Sequence, residues 1–149
     1  MKKAHDFEKD FLVLLEAGFM AVNQADEDAA VKLFRAASLV RPENTLPKVG
    51  FGYLHLCKLE LKQASKEFEE VLHKEPDNEM AKAFLGFCTS LTPGKLPEGE
   101  TMLKETEKHA KDHSVKNLCH STIDFLDKYL KKPPSPMQLS KEQHKKEKK

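Results

Sequence analysis

Three glycines spaced 34 residues apart constrain the fold of this chain more than any other feature of its sequence. They are Gly18, Gly52 and Gly86. Other residues repeat in step with them, so that Ala30 and Phe34 of the first copy return as Ala64 and Phe68 of the second. A period of this length is typical of stacked helical hairpins, because a single hairpin cannot bury its own apolar side. The sequence therefore predicts an all-α chain that offers a binding surface.

Prolines and asparagines mark the predicted ends of the hairpins. Pro42 and Pro76 lie 34 residues apart and disfavour helical geometry in the residue that precedes each of them. Asn44 and Asn78 follow two residues later, where their side chains can cap the next helix. We therefore expect a helix boundary at each of these two positions.

The third copy departs from the pattern. Its turn contains Pro93 and Gly94, and Gly99 and Leu103 match the earlier alanine and phenylalanine only after the insertion of one residue. A further amphipathic segment follows, and we expect it to cap the stack. Its residues at helical spacing are Val115, Leu118, Cys119, Thr122, Phe125, Leu126 and Tyr129. We predict one domain over 1–131, with repeats over about 11–44, 45–78 and 79–112, a capping helix over 114–131 and a disordered lysine-rich tail over 132–149.

The repeated residues resemble the tetratricopeptide pattern, in which W-x₂-L-G-x₂-Y is followed by A-x₃-F and then by a proline. The first copy matches it at Leu14, Gly18, Ala21, Ala30, Phe34 and Pro42. The resemblance implies a solenoid of about three tetratricopeptide hairpins with a C-terminal capping helix. It also implies that the first helix of each hairpin lines a concave groove.

The first helix of each predicted hairpin is apolar on two opposite sides, which normally means burial on both. The second apolar side consists of Leu12, Leu15, Phe19 and Val22, then Leu46, Val49, Tyr53 and Leu56, then Met80, Ala83 and Phe87. In tetratricopeptide proteins these positions face the groove, so we expect them to bind an apolar or amphipathic helix of a partner. The alternative is that the N-terminal segment, the tail or a second copy covers them.

The charge is unevenly distributed along the chain. Residues 131–149 contain seven lysines and two glutamates, a net charge of +5, so the rest of the chain carries −4 of a total of +1. A basic tail can bind nucleic acid or an acidic membrane, but no aromatic residue lies among these lysines to stack on bases. We expect a solvated tail, with no nucleic acid and no membrane as partner. Three cysteines cannot all pair within one chain, which favours reduced thiols and the cytoplasm.

No catalytic motif is recognisable in the sequence, and we expect no enzymatic activity and no cofactor. Gly94-Lys95 lacks the other residues of a phosphate-binding loop. His109 and His113 are one helical turn apart, with Cys119 and His120 further on, but without the glutamate or the cysteine spacing of known zinc motifs. We interpret these as surface residues and expect no metal. His55 replaces an aromatic residue of the repeat and is expected in the core.

Three stretches of the chain resemble the bacterial type III secretion chaperones of the needle subunit: LLEAG at 14–18, ASLVRP at 37–42 and AKAFLGFC at 81–88. The resemblance implies a cytoplasmic chaperone that binds an amphipathic helix of the needle subunit in its apolar groove and prevents premature polymerisation. It also implies a heteromeric complex with a secreted helical subunit, often with a second small co-chaperone. Two alternatives stay open: a chaperone of a type III translocator protein, and a general tetratricopeptide scaffold or adaptor.

Overall fold

A computed structural model describes residues 4–131 of the chain, and these residues form seven α-helices and no strand. The helices are α1 (Ala4–Asn23), α2 (Glu27–Val40), α3 (Leu46–Cys57), α4 (Leu61–Lys74), α5 (Glu79–Leu91), α6 (Leu96–His109) and α7 (His113–Tyr129). The predicted all-α class is confirmed. The tail predicted over 132–149 lies outside the described residues.

The helices pack in two unequal rows. Each helix contacts the next one along the chain, and the odd-numbered helices also contact one another: α1 with α3, α3 with α5, and α5 with α7. Within residues 4–131 no two even-numbered helices are in contact. The odd-numbered helices therefore lie on the more closely packed side of the array.

Short polar side chains begin several of the helices. Asp26 accepts a hydrogen bond from the backbone N–H of Ala29, and Asn78 accepts one from that of Ala81, at 3.0 and 2.9 Å. Asn44 lies one residue before the position that caps α3, which Thr45 occupies. Its side-chain oxygen still accepts a hydrogen bond, at 2.9 Å, from the backbone N–H of Leu46, the first residue of that helix. Each of these side chains satisfies a backbone donor that the helix itself cannot.

The glycines of the repeat allow close crossings between helices. A Cβ atom added to Gly52 would lie 2.6 Å from Cε1 of Phe68, a distance that real Cβ atoms do not reach. From α5, the ring of Phe84 stacks on that of Phe68, with the ring centroids 5.3 Å apart. Phe68 is fully buried as a result. The ring of Phe68 thus fills the crossing of α3 and α4 beside Gly52.

The third hairpin keeps the register that the one-residue insertion predicts. Leu103 is the residue nearest to a Cβ added at Gly86, with its Cγ 3.1 Å away. Gly99 lies against the backbone of Ser90, where any side chain would collide with the nitrogen of that residue. α5 and α6 therefore cross with a leucine in place of the phenylalanine.

The first helix is longer than the repeat predicts. α1 has 20 residues and begins seven residues before the first predicted repeat. Phe11, near the start of that repeat, is only 2% exposed, and the guanidinium of Arg41 lies over its ring at 5.7 Å. Glu8 forms an ion pair with Arg41 at 3.6 Å. The added turns are thus attached to the end of α2.

Candidate binding face

Five of the eleven residues predicted to line a groove are buried within the chain itself: Leu15, Val22, Val49, Leu56 and Ala83, each at most 6% exposed. They belong to the three apolar clusters that form the core. The expectation that all eleven line an open groove is corrected for these five, because odd-numbered helices pack on both sides. In this structure a partner cannot reach them.

The other six predicted residues keep some accessible surface on the odd-numbered helices. Leu12 and Leu46 are 48% and 41% exposed, and Met80, one repeat further on, is half-buried. Phe19, Tyr53 and Phe87 are half-buried and also lie one repeat apart. We call the surface formed by these six residues the odd-helix face.

Two aromatic residues of the odd-helix face also serve the fold. Phe19 packs edge-on against the buried Phe34 at 5.2 Å between ring centroids, and contacts Tyr53 at 5.9 Å. The hydroxyl of Tyr53 donates a hydrogen bond to Oδ1 of Asn23 at 2.9 Å. Burial, together with the neighbouring Cys57, raises the pKa of the Tyr53 phenol. The tyrosine is therefore a neutral donor that joins α3 to α1.

The helix expected only to cap the stack adds aromatic surface of its own. α7 buries Val115, Cys119, Thr122 and Leu126, but Phe125 and Tyr129 are 41% and 62% exposed. The Phe125 ring lies 6.2 Å from that of Phe87 and 5.1 Å from that of Tyr129. The odd-helix face is thus continuous with Phe125 and Tyr129, two aromatic residues of the predicted capping helix. Phe125 and Tyr129 are four residues apart, on a side of the helix next to the buried residues. That spacing is the sequence signal that distinguishes them from the residues that cap the core.

The charges around this aromatic surface are not all neutralised. Nζ of Lys131 forms ion pairs with Glu100 and Asp127 at 2.7 and 2.5 Å, and the hydrogen bonds that it donates to Asp127 and Glu100 raise its pKa. Lys128 lies with its Nζ 5.2 Å from the Tyr129 ring centroid and forms no ion pair with any residue from 4 to 131. One ammonium group therefore borders the exposed aromatic rings of α7.

A separate cleft of about 820 Å³ lies between α5 and α6, away from the odd-helix face. Its lining combines charges of both signs, including Asp77, Lys82 and Glu105. Glu79, also in its wall, accepts hydrogen bonds from the backbone N–H groups of Lys111 and Asp112 at 2.8 and 3.0 Å. These bonds lower the pKa of the Glu79 carboxyl and hold the loop before α7. None of the predicted binding residues lines this cleft.

Two of the histidines lie beside carboxylates. His120 lies 3.2 Å from Glu107 and 3.6 Å from Asp124, and no group of three side chains in residues 4–131 is arranged to hold a metal ion. His55 is half-buried, contrary to the expected core position, because its Nδ1 pairs with Oε2 of Glu60 at 2.6 Å. That hydrogen bond is the main cause of the lowered pKa of Glu60.

Comparison with protein-family models, with curated proteins and with solved structures found no match for this chain. Among residues 4–131, no helix combines the length and the apolar character that crossing a lipid bilayer requires.

Proposed function

We propose that the chain is a tetratricopeptide-type solenoid that acts as a bacterial cytoplasmic chaperone for the needle subunit of type III secretion. It binds an amphipathic helix of that subunit on the odd-helix face and prevents premature polymerisation. Its role is binding without catalysis or cofactor, and its partners are proteins, including a second small co-chaperone.

The arrangement of helices supports the solenoid. In the first two hairpins a glycine of the odd-numbered helix faces a buried phenylalanine of the even-numbered one, Gly18 with Phe34 and Gly52 with Phe68. Odd-numbered helices contact one another, whereas the even-numbered ones within 4–131 do not. Both features agree with hairpins stacked in one direction, with the odd-numbered helices on the inner side.

One observation carries the binding role: Leu12 and Leu46 lie one repeat apart on the odd-helix face and remain 48% and 41% exposed. Large apolar residues grouped on an accessible surface commonly mark a partner site. An amphipathic helix laid in a groove contributes the complementary apolar side.

The chaperone action follows from competition for that apolar side. A needle subunit assembles through the apolar surfaces of its helices, and a helix buried on the odd-helix face cannot pack in a polymer. Release at export then restores assembly.

The proposal can be tested by light scattering of a purified type III needle subunit from the same organism, alone and with an equimolar amount of this protein. We expect the wild type to suppress the increase in scattering. The double variant Leu12→Gln and Leu46→Gln should lose suppression, because it places amide groups where the helix would bind.

The matched control is Val13→Gln with Met20→Gln. These residues are 62% and 60% exposed, but lie about 80–120° around α1 from Leu12 and Phe19 of the odd-helix face. Suppression by the control but not by the Leu12/Leu46 variant supports the face. Failure of the wild type to suppress assembly would refute the needle-subunit role, and protection of a translocator protein instead would establish the alternative chaperone.

A further inference from the structure

We propose that Phe125, Lys128 and Tyr129 of α7 form a terminal subsite of the odd-helix face. It receives the C-terminal turn of the bound amphipathic helix, with an acidic residue of that turn beside Lys128. This inference rests on the proposed function and adds the direction in which the partner helix lies.

The first argument is continuity of the surface. Phe125 and Tyr129 are in ring contact with each other, and Phe125 is in ring contact with Phe87 of the odd-helix face. Tyr129 is 62% exposed, more than Leu12 or Leu46. A helix lying on the face therefore meets the aromatic rings of α7 at its end.

The second argument is the area that a complex requires. A stable protein interface buries about 800 Å² on each partner. Five of the eleven residues first expected on the face are already buried, so the odd-helix face itself presents few accessible apolar side chains. An aromatic side chain can bury about 150–250 Å², and the two on α7 therefore add a substantial part of the surface needed.

The third argument is charge complementarity. Lys131 is neutralised by Glu100 and Asp127, whereas Lys128 has no ion-pair partner in residues 4–131. A carboxylate beside Lys128 would satisfy the ammonium group, and the C-terminus of any helix carries a partial negative charge that favours a nearby cation.

The spacing of the odd-numbered helices sets the length of the partner helix. Packed helices lie 8–10 Å apart, which corresponds to about five to seven residues of a helix that crosses them at 1.5 Å per residue. Crossing from α1 to α7 takes three such spacings, or about 16–20 residues, with a large apolar side chain about every five to seven.

Two synthetic 20-residue amphipathic peptides provide the probe. Both carry leucines at heptad spacing and have the same composition, but one has glutamates in its last turn and lysines in its first, and the other has the reverse. Fluorescence anisotropy at low salt should show about 3-fold tighter binding of the peptide with acidic C-terminal turn to the wild type. Lys128→Glu should abolish that preference, and Phe125→Ser with Tyr129→Ser should weaken binding of both peptides about 10-fold.

The matched control is Lys116→Glu, a charge reversal at an exposed position of α7 away from the aromatic rings. It should keep the preference, and circular dichroism should show wild-type helix content for every variant. A wild type without preference, a preference that survives Lys128→Glu, or full binding by the Phe125/Tyr129 variant would overturn the subsite. If binding depends on Leu12 and Leu46 alone, only the subsite is wrong. If neither peptide binds and the needle subunit is not protected, the proposed function falls as well.

Discussion

The ring of Phe34 lies so close to the backbone of Gly18 that a Cβ atom at residue 18 would be 2.5 Å from its Cε1. Gly52 stands in the same relation to Phe68 one repeat later. Both rings are completely buried. A side chain at either glycine must therefore displace an aromatic ring from the centre of a hairpin.

Gly52→Ala should lower the free energy of unfolding by about 1–3 kcal/mol, the usual cost of inserting atoms into a packed core. Gly86→Ala should cost less, because the nearest atom is Cγ of Leu103 at 3.1 Å and a leucine side chain can move. Alanine also favours a helix over glycine by about 1 kcal/mol, which offsets the crowding at residue 86. Urea unfolding of both variants measures the difference, and equal costs would contradict the tighter crossing in the second hairpin.

The sequence predicts the helices well because their ends depend on local chemistry. The residues before Pro42 and Pro76 end α2 and α4, and Asn78 caps α5 as expected. The spacing of glycine and phenylalanine predicts where the two helices cross in each of the first two hairpins. Even the third hairpin follows from the displaced Gly99.

Burial was harder to predict because it depends on how neighbouring helices lie. Helices α3 and α5 have neighbours on several sides. The residues of their second apolar side are therefore divided between the core and the surface. Val49 is 2% exposed while Leu46, on the same stripe, is 41% exposed. The exposure of Phe125 and Tyr129 likewise depends on where α7 packs against α5 and α6. A helical period alone does not contain that information.

Glu79 should make stability depend on pH. The backbone N–H groups of Lys111 and Asp112 lower the pKa of its carboxyl in the folded chain, so its stabilising effect is present above the ordinary glutamate pKa. The effect disappears as the pH falls through the lowered value. Glu79→Gln should therefore unfold at a lower temperature than the wild type at pH 7, and the difference should shrink at pH 3.

The control for this comparison is Glu69→Gln, which changes an exposed carboxyl on α4. Its unfolding temperature should stay close to that of the wild type at both pH values. Amide exchange at Lys111 and Asp112 gives a second measurement, since both amides should exchange faster in Glu79→Gln. Unchanged exchange would show that Glu79 does not hold this loop in solution.

The three cysteines should differ sharply in reactivity. Burial raises the pKa of the Cys88 and Cys119 thiols to about 11, and neither side chain is exposed. Cys57 is exposed on α3. Because the thiolate is the reactive form, iodoacetamide at neutral pH should add one label to the native protein and three after unfolding in urea. Mass spectrometry counts the labels, and rapid labelling of Cys88 in the native protein would show that the core around Cys88 and Phe68 opens.

Met20 and Leu54 occupy equivalent positions 34 residues apart but differ in environment. Leu54 is 5% exposed because the first hairpin covers it, whereas Met20 is 60% exposed on α1, which has no hairpin before it in the described residues. The same contrast separates Val13, 62% exposed, from the fully buried Pro47. No other helix of residues 4–131 therefore covers this outward side of α1.

This difference predicts unequal costs for the same type of truncation. Leu54→Ala should lower the free energy of unfolding by about 2–5 kcal/mol, as deletion of a buried side chain does. Met20→Ala should change it by no more than about 0.5 kcal/mol, because an exposed side chain loses few contacts. Urea unfolding at two protein concentrations measures both. A large cost for Met20→Ala that grows with protein concentration would mean that a second copy covers α1, and a large cost independent of concentration would mean that residues outside 4–131 do so.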